Sequence, residues 1–286
     1  MTGTTDPRDI VVGVDPVRNW RLAVAWGADE ARHRGRRLRL VVAVPPRQST
    51  RRAAEDLRHT ARTRAADDTL RQAVDLARAR QPEVDSAPLV ADGPAAAVLV
   101  EQSRGAEMVV LGSRHLGGIE EFLSAGSLAV PVTAQAQCPV AVVGEAEHTT
   151  QESPYLVVGV DGSATSRAAV EFAFEEADLR GCLVRAVAAW QPPAFSREPG
   201  DTLFPAERRL LAEATSGLSE RYPDVPVHHD VQIGSPVEVL ARAGEHALAV
   251  VVGRRGRGGY SGMRVGSVVR GLLHRATCPV ITVPGG

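Results

Sequence analysis

The feature that most constrains the fold of this chain is an internal duplication. The segment IVVGVD at residues 10–15 returns as LVVGVD at residues 156–161, and CPVAVV at residues 138–143 returns as CPVITV at residues 278–283. The two offsets are 146 and 140 residues. Solenoid repeats span only about 20–50 residues, so the repeated unit here is a whole domain.

The duplication predicts two domains of similar size. We expect the first at residues 1–146 and the second at residues 147–286. The polar stretch at residues 145–154 is the expected linker between them.

In each repeat, short apolar runs alternate with longer amphipathic segments, which is typical of a parallel sheet covered by helices on both faces. In the second repeat we predict strands at 155–160, 182–189, 226–231, 248–252 and 279–283, with helices at 163–180, 203–222, 235–246 and 266–275. Ser163 and Ser235 are the expected N-caps of two of these helices. The sequence therefore predicts an α/β protein with two tandem doubly wound domains, each with a five-stranded parallel sheet. Their ligand sites are expected at the carboxyl ends of the strands.

The basic residues exclude several classes of function. All 33 are arginine, so the chain has no lysine for a Walker-type phosphate loop, a pyridoxal Schiff base or a protein-kinase site. The formal net charge is −1, and neither repeat has a basic excess. Binding to nucleic acid is therefore not expected.

The cysteines and the hydropathy pattern indicate the cellular location of the protein. Three cysteines form an odd set without a CxxC pair, which argues against a disulfide framework and against a zinc site. No apolar run approaches the ~18 residues of a membrane span, and the first residues lack the pattern of a signal peptide. We expect a cytoplasmic protein that does not bind membranes.

The strongest candidate for a binding site is a glycine-rich segment of the second repeat. Gly253, Gly256 and Gly266 form the pattern G-x2-G-x9-G between a predicted strand and a predicted helix, and Ser267 follows directly. Glycines allow the backbone to approach an oxyanion, and a helix N-terminus carries partial positive charge. The segment predicts an anion site, although a flexible turn would explain the glycines alone.

A carboxylate at the end of the first strand is the second candidate. Asp161 would share the crevice with the glycine segment if strands one and four flank the switch point. It could accept a hydrogen bond from an adenine amino group or a ribose hydroxyl, or it could only cap the following helix. Gly159, two residues earlier, could permit close approach of a base or could simply be a packing residue.

These motifs, VVGVDGSATS, GSPVEVL and VVVGRRGRGGYSGMRVGSVVRGLL, resemble the universal stress protein family in its tandem two-domain form, and the resemblance covers almost the whole chain. It implies a Rossmann-like fold that binds ATP, with or without magnesium, placing the base near Asp161 and Ala189. The phosphates would lie on Gly253, Arg255, Gly256, Gly266, Ser267 and Val268, and we include Gly159 and Val252 in the same site.

The first repeat departs from the family pattern and is expected to hold a degenerate nucleotide site. It retains five candidate positions, namely Gly13, Asp15, Gly112, Gly126 and Ser127. However, His115 replaces the second glycine, and the loop is one residue longer and contains Glu120 and Glu121. Negative charge beside a triphosphate is unfavourable. Pro16 and Val17 replace the residues that normally follow the aspartate.

Three functions remain open. The leading hypothesis is an ATP-binding stress-response regulatory protein without dedicated catalytic machinery, whose bound state presents a different surface to an unknown protein partner. The alternatives are a slow ATPase or nucleotide hydrolase and a nucleotide-free scaffold. No GxSxG or HExxH motif supports an enzyme.

The final strands also suggest how the two copies associate. Residues 139–143 and 279–283 are short, apolar and similar, and each is expected at a sheet edge. Pairing them would create an internal pseudo-dimer, as the family resemblance also implies. The same argument permits a homodimer of whole chains without requiring one.

Overall fold

The computed structural model describes residues 8–17, 19–46, 53–113, 128–144, 153–191, 204–257 and 264–285. The chain divides into two compact units, residues 1–145 and 146–286. Most of the predicted linker lies outside the described residues.

The first unit is a parallel α/β domain. Its elements are β1 (Ile10–Gly13), α1 (Arg21–Arg34), β2 (Leu38–Val44), α2 (Ala53–Arg80), β3 (Ser86–Asp92), α3 (Ala95–Gln102), β4 (Met108–Gly112), α4 (Ala129–Gln135) and β5 (Val140–Val143). The strand order is β3-β2-β1-β4-β5, and the pairs in it are parallel. Helices α1 and α2 contact each other, as do α3 and α4, so the two pairs cover opposite faces of the sheet.

The second unit repeats this architecture. Its elements are β6 (Tyr155–Gly159), α5 (Ala164–Arg180), β7 (Leu183–Trp190), α6 (Pro205–Arg221), β8 (Val227–Ile233), α7 (Pro236–Ala243), β9 (Ala249–Gly253), α8 (Ser267–Arg275) and β10 (Val280–Val283). The strand order is β8-β7-β6-β9-β10, again with parallel pairs. The predicted fold class is confirmed, and the element bounds agree to within three residues.

Burial on both faces explains why the central strands are continuous apolar runs. In β6, Leu156, Val157 and Val158 are fully or almost fully buried, and so are Val250 and Val251 in β9. A strand that is covered on both faces has no solvent side for polar residues. These two strands are neighbours, and the chain order reverses between them, so the crevice at their carboxyl ends is the switch point of the sheet.

Local signals fix the ends of the helices. The hydroxyl of Ser163 accepts a hydrogen bond from the Ser166 N–H (3.1 Å), and that of Ser235 accepts one from the Glu238 N–H (3.3 Å), which confirms both N-caps. Helices α1 and α5 both end at a glycine in the left-handed conformation, Gly35 (φ 59°) and Gly181 (φ 60°). The two glycines are 146 residues apart, so the duplication extends to backbone geometry.

The three cysteines are buried and free. Burial raises the pKa of Cys138 and of Cys278 to about 12 and that of Cys182 to about 11. A thiol with such a pKa stays protonated at neutral pH and is a poor nucleophile. The cysteines therefore act as small packing residues.

Helix α2 is rich in charged residues, and some of them form ion pairs within the helix or with α1. Arg80 forms an ion pair with Asp29 of α1 (2.8 Å), and Arg71 pairs with Asp68. Within the described parts of the chain, no helix combines the length and the apolar character needed to cross a bilayer.

Candidate functional site

The second domain contains a cavity of about 420 Å³ at the carboxyl ends of β6, β7 and β9. All ten candidate residues predicted in this domain line it: Gly159, Asp161, Ala189, Val252, Gly253, Arg255, Gly256, Gly266, Ser267 and Val268. They come from four separate segments of the sequence. The fold therefore brings the predicted positions together around one cavity.

One end of the cavity is apolar. Val187, Leu240 and Val252 line it and are almost fully buried. A Cβ atom at Gly159 would lie 3.0 Å from Leu240 and 3.1 Å from Val252. Packing is therefore a sufficient reason for glycine at this position, and this end offers apolar surface to a ligand.

A backbone donor and acceptor face the same end. Strand β6 ends at Gly159, whereas β7 continues to Trp190. The Val160 N–H donates to the Val187 carbonyl (2.9 Å), and residues two apart in a strand direct their backbone groups the same way. The N–H and C=O of Ala189 therefore point toward the β6 side, beyond the end of that strand, where a ligand can reach both.

The other end of the cavity is the N-terminus of α8. Gly266 is the N-cap, and the first intrahelical bond runs from the Arg270 N–H to the Gly266 carbonyl (3.2 Å). The N–H groups of Ser267, Val268 and Val269 precede that bond, so they have no acceptor within the helix. All three residues line the cavity, which gives this end the donors and partial positive charge that suit an anion.

Arginines add full positive charge to the anion end. Arg255 and Arg257 are exposed and line the cavity. Beside them, burial lowers the pKa of Arg254, and the charge of Arg255 lowers it further. An anion bound beside these cations would offset the repulsion between their like charges. Of these arginines, only Arg255 was expected to contact phosphate, whereas Arg257 lines the same wall in the structure.

Asp161 is the only carboxylate among the described lining residues. Its Oδ1 accepts a hydrogen bond from the Ser163 N–H (2.9 Å), and its Oδ2 accepts one from the Arg257 N–H (2.9 Å). It thus supports the turn before α5 and also ties that turn to the glycine loop, by which we mean residues 253–257. Both interpretations of Asp161, as a turn residue and as a cavity residue, are compatible with this geometry.

The three motif glycines have different surroundings. A Cβ at Gly253 would lie 2.6 Å from the carbonyl carbon of Thr165, and a Cβ at Gly256 would lie 2.6 Å from Oδ2 of Asp161. Real Cβ atoms do not approach other atoms so closely. The clash at Gly253 is with backbone atoms, so packing within the protein requires glycine there, whereas a Cβ at Gly256 would require the Asp161 side chain to shift. A Cβ at Gly266 would meet its nearest atoms at 3.5 Å, an ordinary contact. Gly266 is thus the motif glycine that the protein's own packing does not require.

The first domain preserves only part of this arrangement. A Cβ at Gly13 would lie 3.1 Å from both Leu111 and Leu99, so packing accounts for this glycine. Oδ1 of Asp15 accepts a hydrogen bond from the Val17 N–H (3.0 Å). Gly112 ends β4. The other first-domain positions singled out above, Gly126, Ser127, His115, Glu120 and Glu121, lie outside the described residues.

The turn after β1 differs from the turn after β6. Helix α5 begins at Ala164, whereas α1 begins at Arg21, three residues later in the register of the duplication. The N-cap of α1 is Trp20, whose side chain makes no capping hydrogen bond. Pro16 and Val17 stand where the second domain has Gly162 and the capping Ser163. The serine N-cap of the second domain is therefore missing here, whereas the hydrogen bond of the aspartate to the backbone two residues later is kept.

Eight further residues of the cavity wall were not predicted. They are Val160, Ser166, Val187, Gln191, Pro236, Leu240, Arg257 and Val269. Two of them, Pro236 and Leu240, belong to the segment GSPVEVL, whose position after strand β8 was the available signal. Val160, Ser166, Arg257 and Val269 lie within the other two motifs that carry the family resemblance. Val187 and Gln191 are recognisable only once the strands are placed in the sheet.

The family model for the universal stress protein family matches residues 7–144 and 155–284. Among similar chains, the universal stress protein Rv2623 of Mycobacterium tuberculosis is 36% identical over 302 residues, covering 98% of each chain. The universal stress protein Rv1996 of the same organism is 34% identical over 298 residues, covering 95% of this chain and 93% of the relative.

A solved structure supports the fold independently. The crystal structure of a universal stress protein from Archaeoglobus fulgidus superposes with a TM-score of 0.74 at 17% identity, covering 99% of this chain and 98% of the other. At that identity the likeness concerns the fold alone. Together with the two family matches and the full-length relatives, it shows that the chain belongs to the universal stress protein family, in its tandem two-domain form.

Proposed function

We propose that the second domain binds an adenine nucleotide, with ATP as the ligand, and that the protein acts as a nucleotide-responsive regulator of a protein partner. One observation carries the proposal: all ten residues predicted for the site line a single cavity with an apolar end and an anion-binding end. A nucleotide has the same division into an apolar ring and a charged tail. Ligand sites in doubly wound domains are expected at this switch point.

Recognition of adenine is supported by the backbone of Ala189. Its N–H can donate to N1 of adenine, and its C=O can accept from the exocyclic amino group. Guanine presents the opposite polarity at the corresponding atoms, a carbonyl oxygen and a ring N–H. The site should therefore discriminate against guanine nucleotides, because a buried polar group without a partner is costly.

The phosphates would bind at the start of α8. The N–H groups of Ser267, Val268 and Val269 provide donors, and Arg255 and Arg257 provide charge. The two oxygens of Asp161 already accept hydrogen bonds, and no cluster of metal-binding side chains occurs among the residues that the structure describes. Magnesium, if present, would be held by the phosphates themselves.

The described cavity wall gives less support to the ATPase alternative. It contains no histidine, cysteine or glutamate that could act as a general base. Its one carboxylate, Asp161, is engaged by the Ser163 and Arg257 N–H groups. We therefore favour binding without dedicated catalysis.

Incubation with ATP followed by rapid desalting separates the three hypotheses. The proposal expects unchanged ATP to stay with the protein, identified by chromatography of the bound fraction. Accumulation of ADP at a steady rate would instead indicate an ATPase. Absence of any retained nucleotide would favour the scaffold.

Replacing Asp161 by alanine should weaken ATP binding by about 1–3 kcal/mol, the range for losing a hydrogen bond to a charged group. The substitution removes the tie between the glycine loop and the turn before α5, together with any contact to the base or ribose. Calorimetric titration measures the change. The matched control is Asp15→Ala in the first domain, which should leave ATP affinity unchanged. Equal effects of the two substitutions would contradict the assignment of the site to the second domain.

Three related expectations stay predictions. They are a degenerate site in the first domain, association of the two copies through residues 139–143 and 279–283, and a cytoplasmic location. The association of the two copies can be tested by introducing Val142→Cys and Thr282→Cys in a background without the native cysteines and asking whether oxidation crosslinks them.

A further inference from the structure

We infer that Thr165 is a positioning residue of this site, holding the glycine loop so that its arginines face the phosphate chain of a nucleoside di- or triphosphate. The inference rests on the proposed function for the ligand. It extends that function to a residue that lies outside the glycine motif and does not itself line the cavity.

A chain of hydroxyl groups connects the start of α5 to the loop. The Thr165 Oγ1 donates a hydrogen bond to the carbonyl of Arg255, 90 residues later in the sequence. The same oxygen lies 3.2 Å from the Ser163 hydroxyl. Because a carbonyl can only accept, the Thr165 hydrogen is used for Arg255, and the Ser163 hydroxyl donates to Thr165. The N-cap of α5 is thus linked through Thr165 to the backbone of the loop.

Close packing holds the loop at neighbouring points. Gly253 approaches the Thr165 backbone so closely that a Cβ would lie 2.6 Å from its carbonyl carbon and 2.7 Å from its oxygen. Two residues beyond Arg255, the Arg257 N–H donates to Asp161 (2.9 Å). The loop is therefore held on both sides of Arg255, at the first turn of α5 by packing and at the turn before α5 by a hydrogen bond. Thr165 supplies the central hydrogen bond of this contact.

The first domain lacks a threonine at the position equivalent to Thr165. Asn19 occupies the position of Thr165 in the sequence, and its side-chain oxygen accepts from the N–H of Arg21 at the start of α1 (3.2 Å). A Cβ at Gly112, the counterpart of Gly253, would lie 3.4 Å from the Asn19 carbonyl oxygen, an ordinary contact. Gly112 is therefore less closely packed against the residues at the start of α1 than Gly253 is against the start of α5.

The position of the loop determines where its cations lie. Arg255 and Arg257 line the cavity, and Thr165 holds the carbonyl of the first. Attraction between a guanidinium and a phosphate chain increases with the number of charges on that chain. The effect of Thr165 should therefore be larger for ATP than for AMP.

The test compares Thr165→Val with Thr165→Ser in the full chain. Valine keeps the shape and removes the hydroxyl, whereas serine keeps the hydroxyl and removes the methyl group. ATP and AMP affinities are measured by calorimetry. Hydrogen exchange of the peptide that contains residues 253–257 is measured without nucleotide, as a readout of how firmly the loop is held.

We expect Thr165→Val to weaken ATP binding up to about tenfold, which is the effect of losing one hydrogen bond. The same substitution should weaken AMP binding less and should speed hydrogen exchange in the loop. Thr165→Ser should restore all three toward wild type. Wild-type exchange and affinity in Thr165→Val would overturn the inference, and so would a serine variant that behaves like valine. Absence of nucleotide binding by the wild-type chain would instead overturn the proposed function, whereas the exchange rates would still show whether Thr165 positions the loop.

Discussion

ATP binding should be lost when Gly266 is replaced by glutamate. The new carboxylate would sit at the N-cap of α8, beside the N–H groups that we assign to the phosphates. Two like charges about 4 Å apart repel by about 4 kcal/mol near a protein surface, and the triphosphate carries several charges. The expected loss of affinity therefore exceeds about 100-fold. Calorimetric titration of the purified variant with ATP measures it.

The structure also predicts that this variant keeps its fold. A Cβ at Gly266 makes only ordinary contacts at 3.5 Å, and its backbone conformation (φ −67°, ψ 156°) is open to any residue. The circular dichroism spectrum should match that of the wild type. Gly266→Gln separates bulk from charge and should have an intermediate affinity. Gly126→Glu, the counterpart in the first domain, should leave ATP binding unchanged. A comparable loss of affinity in this variant would contradict the assignment of the ATP site to the second domain.

Gly253→Ala should destabilise the second domain by about 1–3 kcal/mol, the cost of overpacking a site that cannot relax easily. The added methyl group would lie 2.6–2.8 Å from the carbonyl carbon, carbonyl oxygen and Oγ1 of Thr165. Two of these atoms belong to the backbone of α5, so the clash cannot be relieved by a change of rotamer. Urea unfolding followed by peptide-resolved hydrogen exchange assigns the loss to a domain.

The duplication provides a matched control for this change. Gly112→Ala alters the equivalent glycine of the first domain, where the nearest atom would be the Asn19 carbonyl oxygen at 3.4 Å. This variant should change stability by less than about 0.5 kcal/mol. Equal destabilisation by the two alanines would show that the close contact between the loop and α5 is not what requires glycine at position 253.

The sequence was sufficient for those features that depend on local patterns. The apolar runs of the central strands predicted a parallel sheet, and Ser163 and Ser235 predicted two helix starts, because a capping hydroxyl acts within three residues of itself. The ten second-domain candidates converge on one cavity because strand order and chain reversal determine where the carboxyl ends of the strands meet.

Features that depend on distant contacts could not be predicted in the same way. The close contact at Gly256 is with Oδ2 of Asp161, and the hydrogen bond that holds the Arg255 carbonyl comes from Thr165. Each of these pairs is about 90 or more residues apart in the sequence, so neither partner carries a local signal. Likewise, Val187 and Leu240 resemble ordinary core residues until α7 is placed beside β7.

Native mass spectrometry of the wild-type chain with ATP tests most directly whether the second-domain cavity is an adenine nucleotide site. We predict that the spectrum contains a complex with one ATP per chain, that GTP does not replace it at equal concentration, and that the complex is absent in Gly266→Glu. A wild-type spectrum without bound ATP, or an ATP complex that persists unchanged in Gly266→Glu, would contradict that account.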